Sequence, residues 1–303
     1  MKIAILSKGP GNYSTKRLKE EAIKRGHEVD VINYVQCEAQ IEKNNPVVMY
    51  NGEELRGYDA IIPRIASSYT RYGSAIVRQF EMQGVFTTAS SIAIVRSRDK
   101  LRSIQLLARA GIGIPKTIFS RGLADSDSIV EEIGGPPVII KLARGTHGRG
   151  VVLAETKKAA RSVLQGFSLM DDDGTNILLQ EYIEESAGTD IRAFVVGGQV
   201  VASMKRQSLT DDFRSNLHQG GEGTIVKLTD EEKKVAVKAA RAMGLSICGV
   251  DMMRSNRGPL VLEVNSSPGF GIEKYTKRNV AEKIIDYVER NAKGRHKKDR
   301  VGA

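Results

Sequence analysis

Near the end of the chain, two apolar runs carry oxygen-bearing side chains. Ile247–Met253 holds Asp251, and the run that begins at Pro259 leads into Glu263 and Asn265. Between them Ser255-Asn256-Arg257-Gly258 forms turns readily, so the stretch reads as a β-hairpin with a short loop. Residues two apart on a strand share a face, which puts Glu263 with Asn265. With the turn centred on Arg257, Asp251 stands opposite Glu263 on the neighbouring strand. Two carboxylates and an amide, without His or Cys, suit a hard cation such as Mg²⁺, which takes one or two carboxylates and fills its octahedron with water and substrate phosphates. Spacing alone serves equally well a hairpin whose acids face water.

A second constellation suits phosphate. Lys141 lies near the end of the apolar strand Pro137–Leu142, just before the loop Gly145–Gly150 (GTHGRG) and a further strand, Val151–Ala154. A lysine there can aim a compact charge at phosphate oxygens while backbone N–H groups close over them; Gly145, Gly148 and Gly150 allow the close approach. The bland alternatives are a snorkelling lysine and a flexible hairpin turn. Strand, loop, strand makes an antiparallel lid, whereas a Walker loop runs from strand to helix and ends in GK followed by Ser or Thr, so that NTPase class is disfavoured. Glu181-Tyr182 ends the strand Ile177–Ile183, whose edge could meet an adenine or be plain strand. Asp190 and Arg192 share a strand face, as do Lys205 and Gln207; a surface ion pair is the bland reading. In the polar loop Asp211–Gly221, Arg214-Ser215-Asn216 with His218 offers an arginine fork to a phosphoryl or acyl-phosphate oxyanion, or is simply solvated. Neither a Ser-His-Asp order, nor an activated Cys, nor a zinc motif emerges, so covalent nucleophilic catalysis is unsupported.

The elements that must position these groups follow from hydrophobic periodicity. Lys2–Ser7 reads as a strand, followed by a turn at Gly9-Pro10-Gly11 and a helix that Ser14 can cap. The helix carries Glu20–Lys24 and Glu21–Arg25 pairs and stops at Gly26. Strands His27–Asn33 and Tyr58–Ile65 and a helix over Ser74–Gln83 complete a small parallel αβ domain ending near Ser90. Its first loop lacks the third glycine of the dinucleotide fingerprint, which argues against NAD. A helical linker, Ser91–Ala110, has an apolar stripe, and Asp99 can cap its second half. Beyond Pro115 the chain turns strand-rich: a helix over Thr156–Phe167, a hairpin over Asp190–Met204 turning at Gly197-Gly198, a capping box at Thr229–Glu232 opening a helix to Met243, and a last helix, Val280–Asn291.

The bulk properties narrow the class. At 303 residues the chain can hold two or three subdomains. Trp is absent and aromatics make up 5%, which argues against a base-stacking platform for single strands. Two distant cysteines, Cys37 and Cys248, imply neither a disulfide framework nor structural zinc and favour a reducing compartment. The amino terminus has too short an apolar run for a signal peptide, and no stretch approaches a membrane span, so a cytoplasmic location is expected. The net charge of +10 favours anionic partners, partly through the basic tail Lys293–Arg300, which reads as a frayed end or a weak nucleic-acid contact.

Taken together, these segments resemble the RimK-type glutamate ligases of the ATP-grasp superfamily. The likeness spans nearly the whole chain, from MKIAILS through IPRI, RQFEMQG, SRDKLRSIQLLARAGI, VIIKLARGTHGRGVVLAET, LLQEYI and DIRAFVVG. DFRSNLHQGG and GVDMMRSNRGPLVLEVNSSPG are the specific motifs. The resemblance implies an α/β chain, α+β in its catalytic part: an ATP-grasp fold behind an amino-terminal Rossmann-like pre-ATP-grasp domain. The expected division is 1–90, a linker over 91–112, subdomains over 113–185 and 186–292, and a tail over 293–303. The resemblance further implies that Lys100 and Lys141 contact the phosphates of ATP, with the loop glycines beside them. Glu181-Tyr182 would meet adenine and Asp190 the ribose. Arg214-Ser215-Asn216 would line the phosphate and acyl site, with Arg192 and Arg214 as the catalytic arginines. Asp251, Glu263 and Asn265 would hold Mg²⁺ or Mn²⁺, as two ions.

The activity so implied joins L-glutamate to the acidic carboxyl terminus of the sixth protein of the small ribosomal subunit, or makes poly-glutamate, through an acyl phosphate, in a homo-oligomer that binds neither membrane nor nucleic acid directly. A ligase for a small-molecule cofactor, or a nucleotide-regulated ribosome- or RNA-binding factor using the basic tail, are the alternatives. On this reading, changing Asp251 to Asn and Glu263 to Gln together abolishes turnover and leaves the fold intact.

Overall fold

The computed structural model describes residues 1–120, 126–142, 150–168, 176–186, 188–208 and 222–292. The chain opens with β1 (Lys2–Ser7), α1 (Tyr13–Lys24) and β2 (Glu28–Ile32), then a small antiparallel sheet of β3 (Cys37–Gln40), β4 (Val47–Tyr50) and β5 (Glu53–Glu54). It continues through β6 (Ala60–Arg64), α2 (Thr70–Met82) and β7 (Phe86–Thr87). The order β2-β1-β6-β7 is parallel throughout, as strand–helix–strand patterning requires. Ser14 does not cap α1. The helix starts two residues earlier, at Tyr13 with Asn12 in the cap position, and the Ser14 hydroxyl accepts the Phe270 N–H at 3.0 Å. The sheet of β3 to β5 was not foreseen, its strands being two to four residues long with mostly exposed side chains on β3 and β5.

The linker is two helices, α3 (Ser91–Arg98) and α4 (Lys100–Arg109), broken at Asp99, whose carboxylate caps α4 by accepting the Arg102 N–H at 3.0 Å. After β8 (Thr117–Ser120) and α5 (Ser126–Ile133) come β9 (Val138–Leu142), β10 (Val151–Ala154), α6 (Lys157–Ser168) and β11 (Ile177–Glu181), in the sheet order β10-β9-β11-β8. β9 and β10 are antiparallel, as a lid hairpin demands. The chain then builds β12 (Thr189–Val196), β13 (Gln199–Gln207), β14 (Glu222–Ile225), α7 (Asp230–Met243), β15 (Ile247–Ser255), β16 (Gly258–Asn265), α8 (Ile272–Thr276) and α9 (Val280–Asn291), with sheet order β14-β13-β12-β15-β16. The Gly197 and Gly198 turn has φ of +58° and +79°, the left-handed pair a two-residue hairpin needs. Thr229 and Glu232 form the reciprocal capping box of α7.

Alternation along the strands divides the interior. Ile3, Ile5 and Ile62 join Phe194, Phe270 and Ile284 in one core, while Ala4, Leu6 and Ile61 join Phe80, Val195 and Met243 in another. Both cores therefore run from the parallel sheet into the five-stranded one. The lobe of β8 to β11 keeps a separate core, with Val138, Ile140, Leu164 and Leu179. Among the described residues no helix is long and apolar enough to cross a membrane.

The linker meets the hairpin at Gly113, whose carbonyl accepts the Val261 N–H at 2.8 Å. A Cβ at position 113 would lie 2.9 Å from the Pro259 carbonyl oxygen, closer than side chains approach backbone. Gly113→Ala is therefore expected to lower stability by roughly 1–3 kcal/mol through overpacking. A fall in the urea midpoint at unchanged slope would show it; an unchanged midpoint would mean the linker shifts freely.

Candidate active site

β15 and β16 are antiparallel with Asp251 opposite Glu263 and Gly249 opposite Asn265. The ladder reaches that register through an irregularity. From Ser255–Gly258 to Met252–Val261 the strands pair in one register, then shift by one residue before Asp251. Leu262 is the extra residue of this bulge. Without it Asp251 would face Leu262, and Glu263 would lie on the other side of the sheet. The bulge therefore brings both carboxylates to one face.

Asn265 Nδ2 donates to Glu263 Oε1 at 2.8 Å and to Asp251 Oδ2 at 3.5 Å, closing the trio the spacing foresaw. Asp251 is buried and held from above. Arg192 on β12 donates Nε to Oδ1 at 2.7 Å and Nη2 to Oδ2 at 2.6 Å, and Arg206 Nη2 stands 2.9 Å from Oδ2. Burial pushes the Asp251 carboxyl up, but the two guanidiniums outweigh it and hold the group well below the usual carboxylate range. Glu263 opens to the cleft yet is crowded by protein. That desolvation, with the charge of Asp251 opposite, pushes its carboxyl up against the lowering effect of Asn265.

Arg206 is the residue the sequence reading missed. It is buried on β13 and grips Asp190 with both ends of its fork, Nε to Oδ1 at 2.6 Å and Nη2 to Oδ2 at 2.5 Å. Asp190 and Asp251 thus share one arginine beneath the site. The pairing sought at the surface, among Asp190, Arg192, Lys205 and Gln207, is a buried cross-strand network instead.

Across the cleft, Lys141 on β9 donates to Gln180 Oε1 at 2.5 Å, and Gln180 Nε2 donates to Thr117 Oγ1 at 3.0 Å. Burial pushes the Lys141 amine down to about 8; Glu263 opposes the shift and Lys100 adds to it. Lys100, the first residue of α4, donates to the Leu142 carbonyl at 2.9 Å, and burial lowers its amine too, again against Glu263. The charge of Glu263 therefore reaches both lysines. At the far end of the lid, the Gly150 carbonyl accepts the Leu142 N–H at 2.9 Å, and the residue has φ of +71°. Gly145, Gly148, Arg214, Ser215 and Asn216 lie outside the described residues.

Glu181 and Tyr182 stand at the end of β11, apart from the ion cluster. Glu181 Oε1 accepts Arg257 Nη2 at 2.6 Å and the Lys116 N–H at 2.5 Å, so the tip of the β15–β16 hairpin is tied to the segment leaving the smaller lobe.

The donor set fits a hard divalent cation. Among the described residues no group of three or more His, Cys, Asp or Glu side chains assembles. Two carboxylates and an amide leave coordination places for water and phosphate, as Mg²⁺ prefers. The upward push on Glu263 by Asp251 is the like-charge strain a cation would relieve. A half-turn of the Asn265 amide would exchange its donor for an acceptor facing the ion.

Residues 1–94 match the RimK pre-ATP-grasp domain, and residues 97–288 the RimK-like ATP-grasp domain. A protein of Picosynechococcus sp. described as a probable alpha-L-glutamate ligase is 57% identical over 302 residues, 99% of either chain. One of Hydrogenovibrio crunogenus, described in the same words, is 55% identical over 301 residues, again 99% of either chain. Among solved structures, the ATP-grasp ligase PsnB complexed with minimal precursor, Mg and ADP superposes with a TM-score of 0.73 at 18% identity, covering 97% of this chain and 98% of that one. A RimK domain ATP-grasp protein from Sphaerobacter thermophilus gives 0.71 at 18% identity, over 95% and 100%. At such identities the likeness is one of fold.

Proposed function

The chain belongs to the RimK-like ATP-grasp family, and from that premise we propose that it adds L-glutamate to the carboxyl terminus of a protein acceptor. A small-subunit ribosomal protein with an acidic end is the first candidate, and the cytoplasm the expected location. The observation that carries the reading is the opposed pair Asp251 and Glu263 with Asn265, near enough to Lys100 and Lys141 for the charge of Glu263 to reach both amines. The names of the relatives at 57% and 55% identity support glutamate as the amine.

A carboxylate is a poor acceptor for an amine. The acceptor carboxylate attacks the γ-phosphorus of ATP, giving an acyl phosphate and ADP. The glutamate amine then attacks the acyl carbon, loses a proton, and inorganic phosphate departs. Positioning and charge neutralisation do most of this work, so no side-chain nucleophile is needed. Lys141, steadied by Gln180, and Lys100 bind phosphate oxygens. Asp251 and Glu263, with Asn265, would hold Mg²⁺ or Mn²⁺, one ion or two, which as Lewis acid would offset phosphoryl charge. Arg192 and Arg206 keep Asp251 ionised and fixed. Tyr182 and Glu181 would border adenine, and Asp190 the ribose. Arg214-Ser215-Asn216 would line the phosphate and acyl site. With ATP, Mg²⁺, glutamate and an acidic peptide, phosphate release should require all four. Release that ignores both glutamate and acceptor overturns the ligase reading.

Lys141 also sets a pH dependence. Below about 8 its amine is charged and attracts phosphate; above about 8 it is neutral. Affinity for Mg·ADP is therefore expected to fall as pH rises past that point, by up to about tenfold per unit. In Lys141→Arg, charged throughout, this slope should flatten. Calorimetric titration between about pH 7 and 9.5 measures the two slopes, and equal slopes would remove Lys141 from the phosphate site.

A further inference from the structure

Two arginines near the hairpin have no acidic partner among the described residues. Arg64 ends β6 at the carboxyl edge of the parallel sheet, the edge at which open αβ sheets present ligands. Its Nη2 donates to the Pro268 carbonyl at 2.7 Å, and its guanidinium lies 5.2 Å from the centre of the Phe270 ring. Arg98, the last residue of α3, donates Nη2 to the carbonyl of Ile65, the residue after Arg64, at 3.0 Å. Each gives a single Nη2 hydrogen bond to a backbone carbonyl, and among the described residues neither forms an ion pair with a carboxylate. Burial, together with the charge of its neighbour Arg98, pushes the Arg64 guanidinium down to about 10. Arg98 is lowered by burial as well, against the charge of Glu263.

Other polar atoms here lack partners too. Arg98 Nε, Ser266 Oγ and Ser267 Oγ are buried without a hydrogen bond among the described residues, and Ser266 is 4% exposed. A desolvated donor without an acceptor is costly, and a ligand that supplies the acceptor removes that cost. The two serines link the candidate metal ligand Asn265 to Pro268, which holds Arg64. Pro268 Cβ would stand 3.1 Å from a Cβ at Gly249, where Arg192 Nε would stand at 3.5 Å. The arginine pair therefore borders the Arg192–Asp251 layer, while phosphate is served by Lys100 and Lys141.

We infer that Arg64 and Arg98, with the hydroxyls of Ser266 and Ser267, form a subsite for a substrate carboxylate beside the metal hairpin. Two planar forks suit a bidentate carboxylate, and a second negative charge there offsets the repulsion between them. The inference rests on the ligase reading, in which glutamate and the acidic acceptor both bring carboxylates. It assigns to the amino-terminal domain a direct part in substrate selection.

The test uses the full chain with Arg64→Gln and Arg98→Gln, each beside the conservative Arg64→Lys. The KM for glutamate and the KM for an acidic acceptor peptide are measured separately, with Mg·ADP affinity and thermal melting as controls. Loss of one charge-assisted contact should raise one of the two KM values about 10- to 100-fold, with Mg·ADP affinity unchanged. A rise confined to glutamate assigns the subsite to the amine substrate and should also erode preference for glutamate over glutamine. A rise confined to the peptide assigns it to the acceptor. Arg64→Lys should fall between wild type and Arg64→Gln, which a general loss of fold would not produce. Unmoved KM values, or a matching loss of Mg·ADP affinity, overturn the subsite. Should wild type show no ligase turnover, calorimetric binding of glutamate and of the acidic peptide to the Mg·ADP-loaded protein still reads it: loss of either in Arg64→Gln supports the subsite although the ligase reading has failed, and both kept as in wild type refutes it.

Discussion

Glu263→Gln is expected to lower Mg²⁺-dependent phosphate release by roughly 10³-fold while leaving the protein as stable as wild type or more so. The loss follows from removing one of two carboxylates that would hold the ion, since Lewis-acid assistance contributes several kcal/mol and each ~1.4 kcal/mol is tenfold. The gain in stability follows from the sign of the shift. Burial and Asp251 push the Glu263 carboxyl up, so in the metal-free protein its charge is unfavourable at neutral pH. Stability in wild type is thus lost as pH rises from the ordinary carboxylate value through the raised folded one, and a neutral amide avoids that loss. Added Mg²⁺ should raise the melting temperature of wild type and leave Glu263→Gln unmoved. Equal Mg²⁺ shifts in the two proteins, or undiminished turnover, would take Glu263 out of the metal site.

The same geometry changes what to expect at Asp251. From the sequence, Asp251→Asn together with Glu263→Gln looked neutral for folding. Asp251 lies buried beneath Arg192 and Arg206, so neutralising it takes from Arg192 its carboxylate partner and leaves Arg206 with Asp190 alone. The double variant would lose activity and stability at once. Glu263→Gln alone separates them.

How far the site could be read in advance depended on the bulges. The acids at 251 and 263 and the amide at 265 are plain in the sequence because each interrupts an apolar run. Their common face depends on Leu262, the bulged residue, which nothing in PLVLEVN marks. Centring the turn on Arg257 reached the right opposition, while the ladder near the turn runs one residue out of that register. The β12–β13 hairpin shows the reverse outcome. Its Gly197-Gly198 turn is unmistakable, yet counting from it pairs Asp190 with Lys205. A shift between Phe194 and Val195 moves the pairing to Arg206 and buries it. One slipped residue turns over every side chain beyond it, so Arg206 was invisible while Lys205 was considered. Periodicity identified the long elements, and α9 and the α7 cap stand where it put them. It missed β3 to β5, β7 and β14, whose two to four residues are too few for a period to register.

Arg206→Met should be the most destabilising single exchange around the site, at about 3–5 kcal/mol. Arg206 is 3% exposed, and its fork is the bidentate partner of Asp190 as well as the second cation on Asp251. A methionine fills similar volume, so the cost comes from charge: two buried carboxylates lose an arginine they share. Acid should narrow the difference. Held low by Arg192 and Arg206, Asp251 contributes stability that is present above its ordinary value of about 4 and is lost as pH falls through its folded value. With one guanidinium gone, less of that contribution remains to be lost on acidification. Urea unfolding of wild type and Arg206→Met at neutral pH and near pH ~3 would measure both effects. Adding Asp190→Leu to Arg206→Met should recover part of the deficit, because an apolar pair replaces an uncompensated charge. A neutral-pH cost under about 1 kcal/mol, the value of an exposed ion pair, would mean that water reaches Asp190 and Asp251 and that the carboxylate floor of the site is not desolvated.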